Sequence, residues 1–327
     1  MARCSPSILG GRPHTQWNET RVVSTFPLIS IVTPSFNQAD FLSACMESVL
    51  GQGYPHLEYI VLDGGSTDGS REVIERHSAQ LAYWASEADR GQASAVNKGW
   101  ARARGEVLGW VNSDDQLTPG ALEQVARTYQ SAPTAAMIYG DIQEIDAQDR
   151  PVHLKHMARF DVRSLLLGKN MGQPGVFITR RTYQALGGLD ESLHYALDFE
   201  YFLRAWLAFP ASDMQYTRSV LAISRLWGGT KSTQAASRFG DEYRLVLDHA
   251  FAQPGLDPQL ARLRRRAYSR VVEFRQARLH FESRQPGEAW RWLLRAAWHE
   301  PLPVEKLRML WFGARYVLGL HVPSARE

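Results

Sequence analysis

The chain has 327 residues, 44% hydrophobic and 22% charged. That is enough for one large or two modest domains and excludes global disorder. The formal net charge of +3 is uneven: residues 258–327 hold 14 Lys/Arg against 6 Asp/Glu, a basic tail on a mildly acidic body. With two cysteines, Cys4 and Cys45, there is neither a disulfide framework nor metal-ligand cysteine spacing, which suits a reducing compartment. The N-terminus lacks the apolar core of a signal peptide, and no run reaches the roughly 20 apolar residues of a membrane span. The closest, Met309 to Val322, is interrupted by Arg315. A cytoplasmic protein is expected.

Residues 1–26 mix Gly, Pro, Ser, Thr and Arg without periodicity and read as a flexible extension. Leu28 to Val32 is a buried strand, and Thr33 to Asn37 a loop. Phe41, Leu42, Cys45, Met46, Val49 and Leu50 then recur at helical spacing. Glu58 to Leu62 is a second strand ending at Asp63, followed by the loop Gly64 to Gly69 and a helix from Ser70 to His77. Leu81 to Ser86 reads as a strand and Gly91 to Arg102 as a helix. The apolar run Val107 to Val111 runs into Asn112-Ser113-Asp114-Asp115, and Pro119 opens a helix to about Gln130. This alternation predicts βαβ units and a mainly parallel, doubly wound sheet. The loops carrying Asp63 and Asp114 would share its carboxyl edge, where open α/β folds bind ligands. A further strand covers Ala136 to Tyr139, mixed short elements run to about residue 226, and residues 240–320 look all-helical.

Adjacent carboxylates repel unless a cation lies near, so Asp114 and Asp115 suggest a divalent cation holding a diphosphate. The plain alternative is a solvated strand-to-helix turn.

Ile29 to Asn37, Val61 to Ser70 and Asn112 to Asp115 together resemble a family 2 inverting glycosyltransferase of GT-A fold, of the bacterial polysaccharide or glycoconjugate type. Asp89-Arg90-Gly91-Gln92, Asn97-Lys98-Gly99, Ala103 to Glu106 and Gly187 to Glu191 extend the match, which covers roughly residues 28–232. The resemblance implies a catalytic domain over residues 27–235, with a nucleotide-binding half 27–140 and an acceptor half 141–235, and a basic helical tail over 236–327. It implies transfer of a sugar from a UDP-, GDP- or TDP-linked donor to a saccharide or lipid-linked acceptor, with inversion.

On that resemblance, Asp63 reads the nucleoside, with an Asx-turn as its structural alternative. Thr33, Pro34 and Phe36 would line the base pocket, although Phe36 is equally a core residue. Asn112 takes the place of the first acid of the Asp-X-Asp motif and can still bond a ribose or diphosphate oxygen. Asp114 becomes the best metal ligand, with Asp115 beside it. Carboxylates without His or Cys favour Mg²⁺ or Mn²⁺. Arg90 or Lys98 would meet the diphosphate, unless Arg90 pairs with Asp89. Asp198 matches the family's catalytic base, against an alternative as a helix N-cap. Glu200 would shape the acceptor site, Gln173 would border the acceptor or sugar pocket, and Lys231 would reach the diphosphate. Trp227 stands where relatives often carry His; it cannot ligate metal and is left to stack on a sugar or pack.

Residues 285–327 carry two amphipathic helices. They either dock on the protein or lie in a membrane surface on the inner face of the cell membrane. A sugar-phosphate nucleotidyltransferase is disfavoured, because Thr33 to Asp40 has no Gly, Lys or Arg. A non-catalytic nucleotide-sugar-binding or scaffold module stays open. The acidic body shows no nucleic-acid motif.

Overall fold

The computed structural model describes residues 26–158, 160–228, 236–282 and 285–299. Nine strands form one sheet: β1 (Ile29–Ser35), β2 (Leu57–Asp63), β3 (Tyr83–Ser86), β4 (Val107–Trp110), β5 (Gln116–Leu117), β6 (Met137–Ile145), β7 (Pro151–Lys155), β8 (Val176–Thr179) and β9 (Met214–Arg225). Their order is β3-β2-β1-β4-β8-β6-β9-β5, with β7 on β6. Strands β3, β2, β1 and β4 are mutually parallel, and β6 and β9 are parallel to each other. Antiparallel β8 joins the two parallel groups. The fold is therefore the mainly parallel α/β sheet that the alternation predicts.

The sheet is covered on both faces, which explains why its strands read as continuous apolar runs. One face packs against α1 (Ala39–Leu50), α2 (Ser70–His77) and α4 (Ala121–Ser131) through Leu42, Met46, Ile74, Leu122 and Val125. The other packs against α3 (Gln92–Arg102) and α7 (Leu197–Ala208) through Val96, Trp100, Phe199 and Phe202. In chain order α5 (Val162–Leu166) and α6 (Arg180–Leu186) fall between α4 and α7.

Strand β1 runs three residues further than its apolar run suggests. Thr33, Pro34 and Ser35 stay in register with Val61, Leu62 and Asp63, while pairing with β4 stops at Val32 opposite Trp110. Pro34 therefore has no neighbour on the β4 side to miss its amide hydrogen.

Past the sheet the described chain is helical: α8 (Ala236–Phe251), a π-helical stretch (Tyr268–Glu273), α9 (Phe274–Glu282) and α10 (Pro286–His299), with short helices between. Helix α8 and the π-helical stretch share the core of the sheet, while α9 and α10 meet in a smaller cluster around Ala277 and Leu293. Tyr243, Leu247, Val271 and Val272 belong to the same buried cluster as Leu108, Trp110 and Phe199. Helix α10, the described part of residues 285–327, packs against α9 and the π-helical stretch, where the Ser269 hydroxyl donates to the Ala296 carbonyl at 2.9 Å. Helix α10 buries Ala289, Leu293 and Ala296, while Trp298 is 87% exposed. The second amphipathic helix of the tail and the N-terminal extension to residue 25 lie outside the described residues. Among those described, no helix is long and apolar enough to cross a membrane.

Candidate active site

Two groups of polar side chains gather at the carboxyl edge. The first grows from the end of β4. Asn112 is held on every side: its Oδ1 accepts from Gln92 Nε2 at 2.6 Å, and its Nδ2 donates to Gln173 Oε1 at 2.9 Å and Asp115 Oδ2 at 3.1 Å. Gln173 is itself anchored by donating to the Trp110 carbonyl at 2.8 Å. The structure thus brings Gln173, from a distant segment, to the first position of the acidic motif. It also places Gln92 there, to which sequence reading gave no role.

The two acids of the motif differ sharply. Asp115 is buried, and its Oδ1 accepts the Arg225 amide at 3.1 Å while its Oδ2 accepts from Asn112. Burial first, and the neighbouring Asp114 second, push its carboxyl up to about 8. Both oxygens face inward, so Asp115 is a strut between β4 and β9 and offers no free oxygen for a cation. This corrects the pairing of Asp115 with Asp114 as metal ligands. Asp114 is half-buried; its Oδ2 accepts the indole N–H of Trp227 at 3.0 Å, and its Oδ1 takes no hydrogen bond among the described residues. The Trp227 ring packs tilted against Phe41 of α1, with centroids 4.8 Å apart, and its nitrogen holds the carboxylate.

Across the edge, Asp63 is only 2% exposed and saturated by its own surroundings. The amides of Gly65 and Ser66 and the hydroxyls of Ser66 and Ser86 all donate to it. The Asx-turn alternative describes this geometry; a base N–H has to displace one of these donors. Thr33 and Pro34 are buried, and Thr33 Oγ1 lies 2.9 Å from the Tyr59 hydroxyl. Their side chains belong to the core because β1 extends through them, which leaves their backbone to line a base pocket. Phe36 alone stands out, 61% exposed. Gly64 lies beneath it: a Cβ there would come within 3.2 Å of the Phe36 ring and 3.4 Å of the Asp89 carboxylate. The missing side chain leaves a shallow aromatic-and-acid cradle of the kind that stacks a base.

The cations sought for a diphosphate are engaged with acids. Arg90 pairs with Glu191 at 2.6 Å rather than with Asp89, whose carboxylate accepts the Gly91 amide. Lys98 pairs with Glu87 at 3.1 Å. Lys231 lies outside the described residues.

The second group surrounds Asp198, in the first turn of α7. The helix N-cap is Ala196, so Asp198 is not the cap. Its Oδ1 accepts the Phe199 amide at 2.7 Å. Burial raises its carboxyl above the usual range, against the opposing pull of that hydrogen bond and of Lys155. Capping falls to Glu242 of α8, whose carboxylate accepts the amides of His194, Tyr195 and Ala196 at 2.9, 2.7 and 2.8 Å. Sequence reading missed Glu242, since nothing local links it to a loop 46 residues upstream. Glu200 is turned away: both its oxygens bind Arg204 at 2.8 Å, and Arg204 donates in turn to the carbonyls of Leu186 and Gly188.

Among the described residues no cluster of three or more His, Cys, Asp or Glu could cage a metal. One carboxylate oxygen at the sheet edge fits a hard cation that takes its other ligands from a bound phosphate and water.

Known proteins resemble this chain in sequence and in fold. The family described as "Glycosyl transferase family 2" matches residues 30–186. An uncharacterized glycosyltransferase of Mycobacterium tuberculosis is 29% identical over 229 residues, 68% of this chain and 84% of its own. Among solved structures, S. aureus TarS 1–349 in complex with UDP-GlcNAc superposes with a TM-score of 0.63 at 16% identity, covering 90% of this chain and 92% of that one. The mannosyltransferase PcManGT from Pyrobaculum calidifontis, solved with GDP-Man and Mn²⁺, gives 0.57 at 17% identity over 90% and 82%. At such identities the likeness of structure speaks for the fold.

Proposed function

The chain carries a glycosyl transferase family 2 domain of GT-A type, and from that premise we propose that it moves a sugar from a nucleoside-diphosphate donor to an acceptor hydroxyl with inversion. The reaction would serve the assembly of a cell-surface polysaccharide or glycoconjugate. The observation that carries the reading is the division of labour between two half-buried carboxylates: Asp114, with one oxygen unbonded among the described residues, and Asp198, with its carboxyl held up.

In this reading Phe36 stacks on the base and Asp63 reads it after exchanging one of its loop donors. Asn112, fixed by Gln92 and Gln173, meets the ribose or the diphosphate. Asp114 holds Mg²⁺ or Mn²⁺, which supplies Lewis-acid stabilisation of the negative charge growing on the leaving diphosphate. Asp198 takes the proton of the acceptor hydroxyl as its oxygen bonds to the anomeric carbon, from the face opposite the breaking carbon–phosphate oxygen bond. A raised carboxyl suits this task, because a stronger base takes the proton more readily.

The second reading, a binding module that no longer transfers, draws on the sealed loop of Asp63 and on Asn112 standing where an acid is expected. Thermal shift of wild type and Asp114→Ala with UDP, GDP, TDP and CMP, with and without Mn²⁺, separates the outcomes. A Mn²⁺-dependent shift with one diphosphate, lost in the variant, is expected and names the donor base. A shift untouched by metal and variant would remove Asp114 from its role. No shift with any nucleotide would defeat the donor site.

A further inference from the structure

The side chain of Arg225 is a buried charge outside the roles given so far. Arg225 closes β9 opposite Ile145, the last residue of β6, and is only 4% exposed. The tip of the β6–β7 hairpin grips its guanidinium: Nη2 pairs with Asp149 at 2.7 Å, and Nη1 donates to the Asp146 carbonyl at 3.3 Å. The turn is braced around that carboxylate. Asp146 Oδ1 accepts the amides of Gln148 and Arg150 at 2.9 and 3.0 Å, and Oδ2 accepts Arg150 Nε at 2.7 Å. Asp149 sits at φ 62°, a left-handed position that aspartate tolerates.

This ion pair is a poor source of stability. The Asp149 side chain is 71% exposed, so water screens its half of the pair. The guanidinium has given up its own water, and its Nε has no hydrogen-bond partner among the described residues. An apolar side chain in the same space would avoid that cost. What the guanidinium touches accounts better for a charge at this position.

Arg225 and Trp227 flank Leu226, which is 43% exposed. Phe41 of α1 meets both. The Arg225 guanidinium lies over the Phe41 ring, 4.9 Å from its centroid, and the Trp227 ring packs against Phe41 with centroids 4.8 Å apart. Trp227 Nε1 donates to Asp114 Oδ2 at 3.0 Å. A continuous run of contacts therefore leads from the hairpin tip through Arg225, Phe41 and Trp227 to the Asp114 carboxylate. The backbone of the same residue reaches the other acid, since the Arg225 amide donates to Asp115 Oδ1 at 3.1 Å. Both acids after β4 are thus tied to one residue of β9.

We propose that Arg225 is a positioning residue for the metal-binding carboxylate. Its guanidinium, fixed by Asp149, holds Phe41 and Trp227 in place, so that the indole N–H takes one oxygen of Asp114 and leaves the other for the cation. The proposal rests on Asp114 being the metal ligand. It adds the β6–β7 hairpin, which lies outside the acidic motif, to the parts of the chain that set metal affinity.

Mn²⁺ binding tests this without recourse to transfer. Free Mn²⁺ is counted by electron paramagnetic resonance, with the metal alone and with UDP or GDP. Wild type, Asp114→Ala, Trp227→Phe, Arg225→Met, Arg225→Lys and Asp149→Gly are compared. Arg225→Met keeps the backbone amide to Asp115 and fills the space of the side chain. It is expected to weaken Mn²⁺ binding about tenfold, as loss of a partner that orients a metal ligand does. Its melting temperature should equal or exceed that of wild type, because an apolar chain replaces a buried charge. Arg225→Lys keeps a charge for Asp149 and should retain part of the affinity. Asp149→Gly suits the left-handed turn and should lower affinity by a smaller factor. Arg225 acts through Trp227, so adding Arg225→Met to Trp227→Phe should cost no further affinity. Unchanged affinity in both Arg225→Met and Asp149→Gly overturns the proposal, as does a double variant whose loss is the product of the single losses. If Arg225→Met does not fold, Asp149→Gly, on an exposed turn, decides alone. Equal Mn²⁺ binding by wild type and Asp114→Ala defeats the metal role of Asp114 and this proposal with it. A loss confined to Asp114→Ala and Trp227→Phe defeats the positioning role only.

Discussion

The edge that carries Asn112 and Asp114 and the pocket that carries Asp198 are built in opposite ways. At the edge, the acids are delivered by the strands they follow: β2 ends at Asp63, whose loop closes mainly on itself, and β4 leads into Asn112 to Asp115, whose side chains are then pinned by Gln92, Gln173, Arg225 and Trp227. In the pocket almost nothing is local. Asp198 depends on Glu242 from α8 for the conformation of the loop before it. A strand terminus places a side chain cheaply, because the sheet already fixes the backbone. A helix start on a long loop has to be held by something else, and here the C-terminal helices hold it.

Substitution at the base probes the pocket most severely. Asp198→Asn is expected to lower kcat by roughly a hundred- to ten-thousandfold, the usual contribution of a general base, with donor-induced thermal shift unchanged. The fold should not suffer. Burial raises this carboxyl, so the folded state binds its proton more tightly than the unfolded chain does. Stability from this group is therefore full at low pH and falls as pH rises from the ordinary carboxylate range through the raised value. Asn has no proton to lose, so the melting temperature of the variant should gain on wild type across that window. Wild-type transfer should rise over the same interval. A variant that melts lower than wild type at every pH would make Asp198 a structural residue.

A smaller effect should follow from cutting the long-range support. Glu242→Ala removes a carboxylate that accepts three amides, and a loss of about 3 kcal/mol in denaturant unfolding is expected. Its kcat should fall while nucleotide affinity holds, because the edge does not depend on α8. Equal damage to both sides would erase the contrast between them. The mildest change is at the edge itself. Trp227→Phe keeps an aromatic contact with Phe41 and deletes the bond to Asp114. It should weaken Mn²⁺ binding about tenfold by calorimetry, in line with other orienting partners of metal ligands, and leave stability nearly unchanged. Unaltered Mn²⁺ affinity would show that the indole only packs.

The same contrast explains what could be read in the sequence. The apolar spacing of α1 and the apolar runs of β2 and β4 foretell their elements, because burial on one or two faces writes a period into the chain. Asp63 and Asp114 are legible as strand-end acids for that reason. Thr33 to Ser35 were not legible as strand, since a Pro reads as a break until the absence of a neighbour on its open side is known. Asp114 and Asp115 look alike in sequence, yet among the described residues one keeps an unbonded oxygen and the other is sealed by the Arg225 amide, a pairing set 110 residues away. Glu242 carries no local signature at all. A charged residue on a helix or hairpin reads as a solvated face until tertiary packing shows what it meets.

The bond between the Asp115 carboxylate and the Arg225 amide also sets a schedule for synthesis. Strand β9 is the last to join, yet it lies between β6 and β5 and braces the acidic motif. At roughly 5–20 residues per second, a ribosome needs about 6–22 s to travel from Asp115 to Arg225. Through that interval the motif has emerged without the strand that seals it, and an open sheet edge waits for its partner. A nascent chain held short of residue 225 is the species on which a chaperone would act.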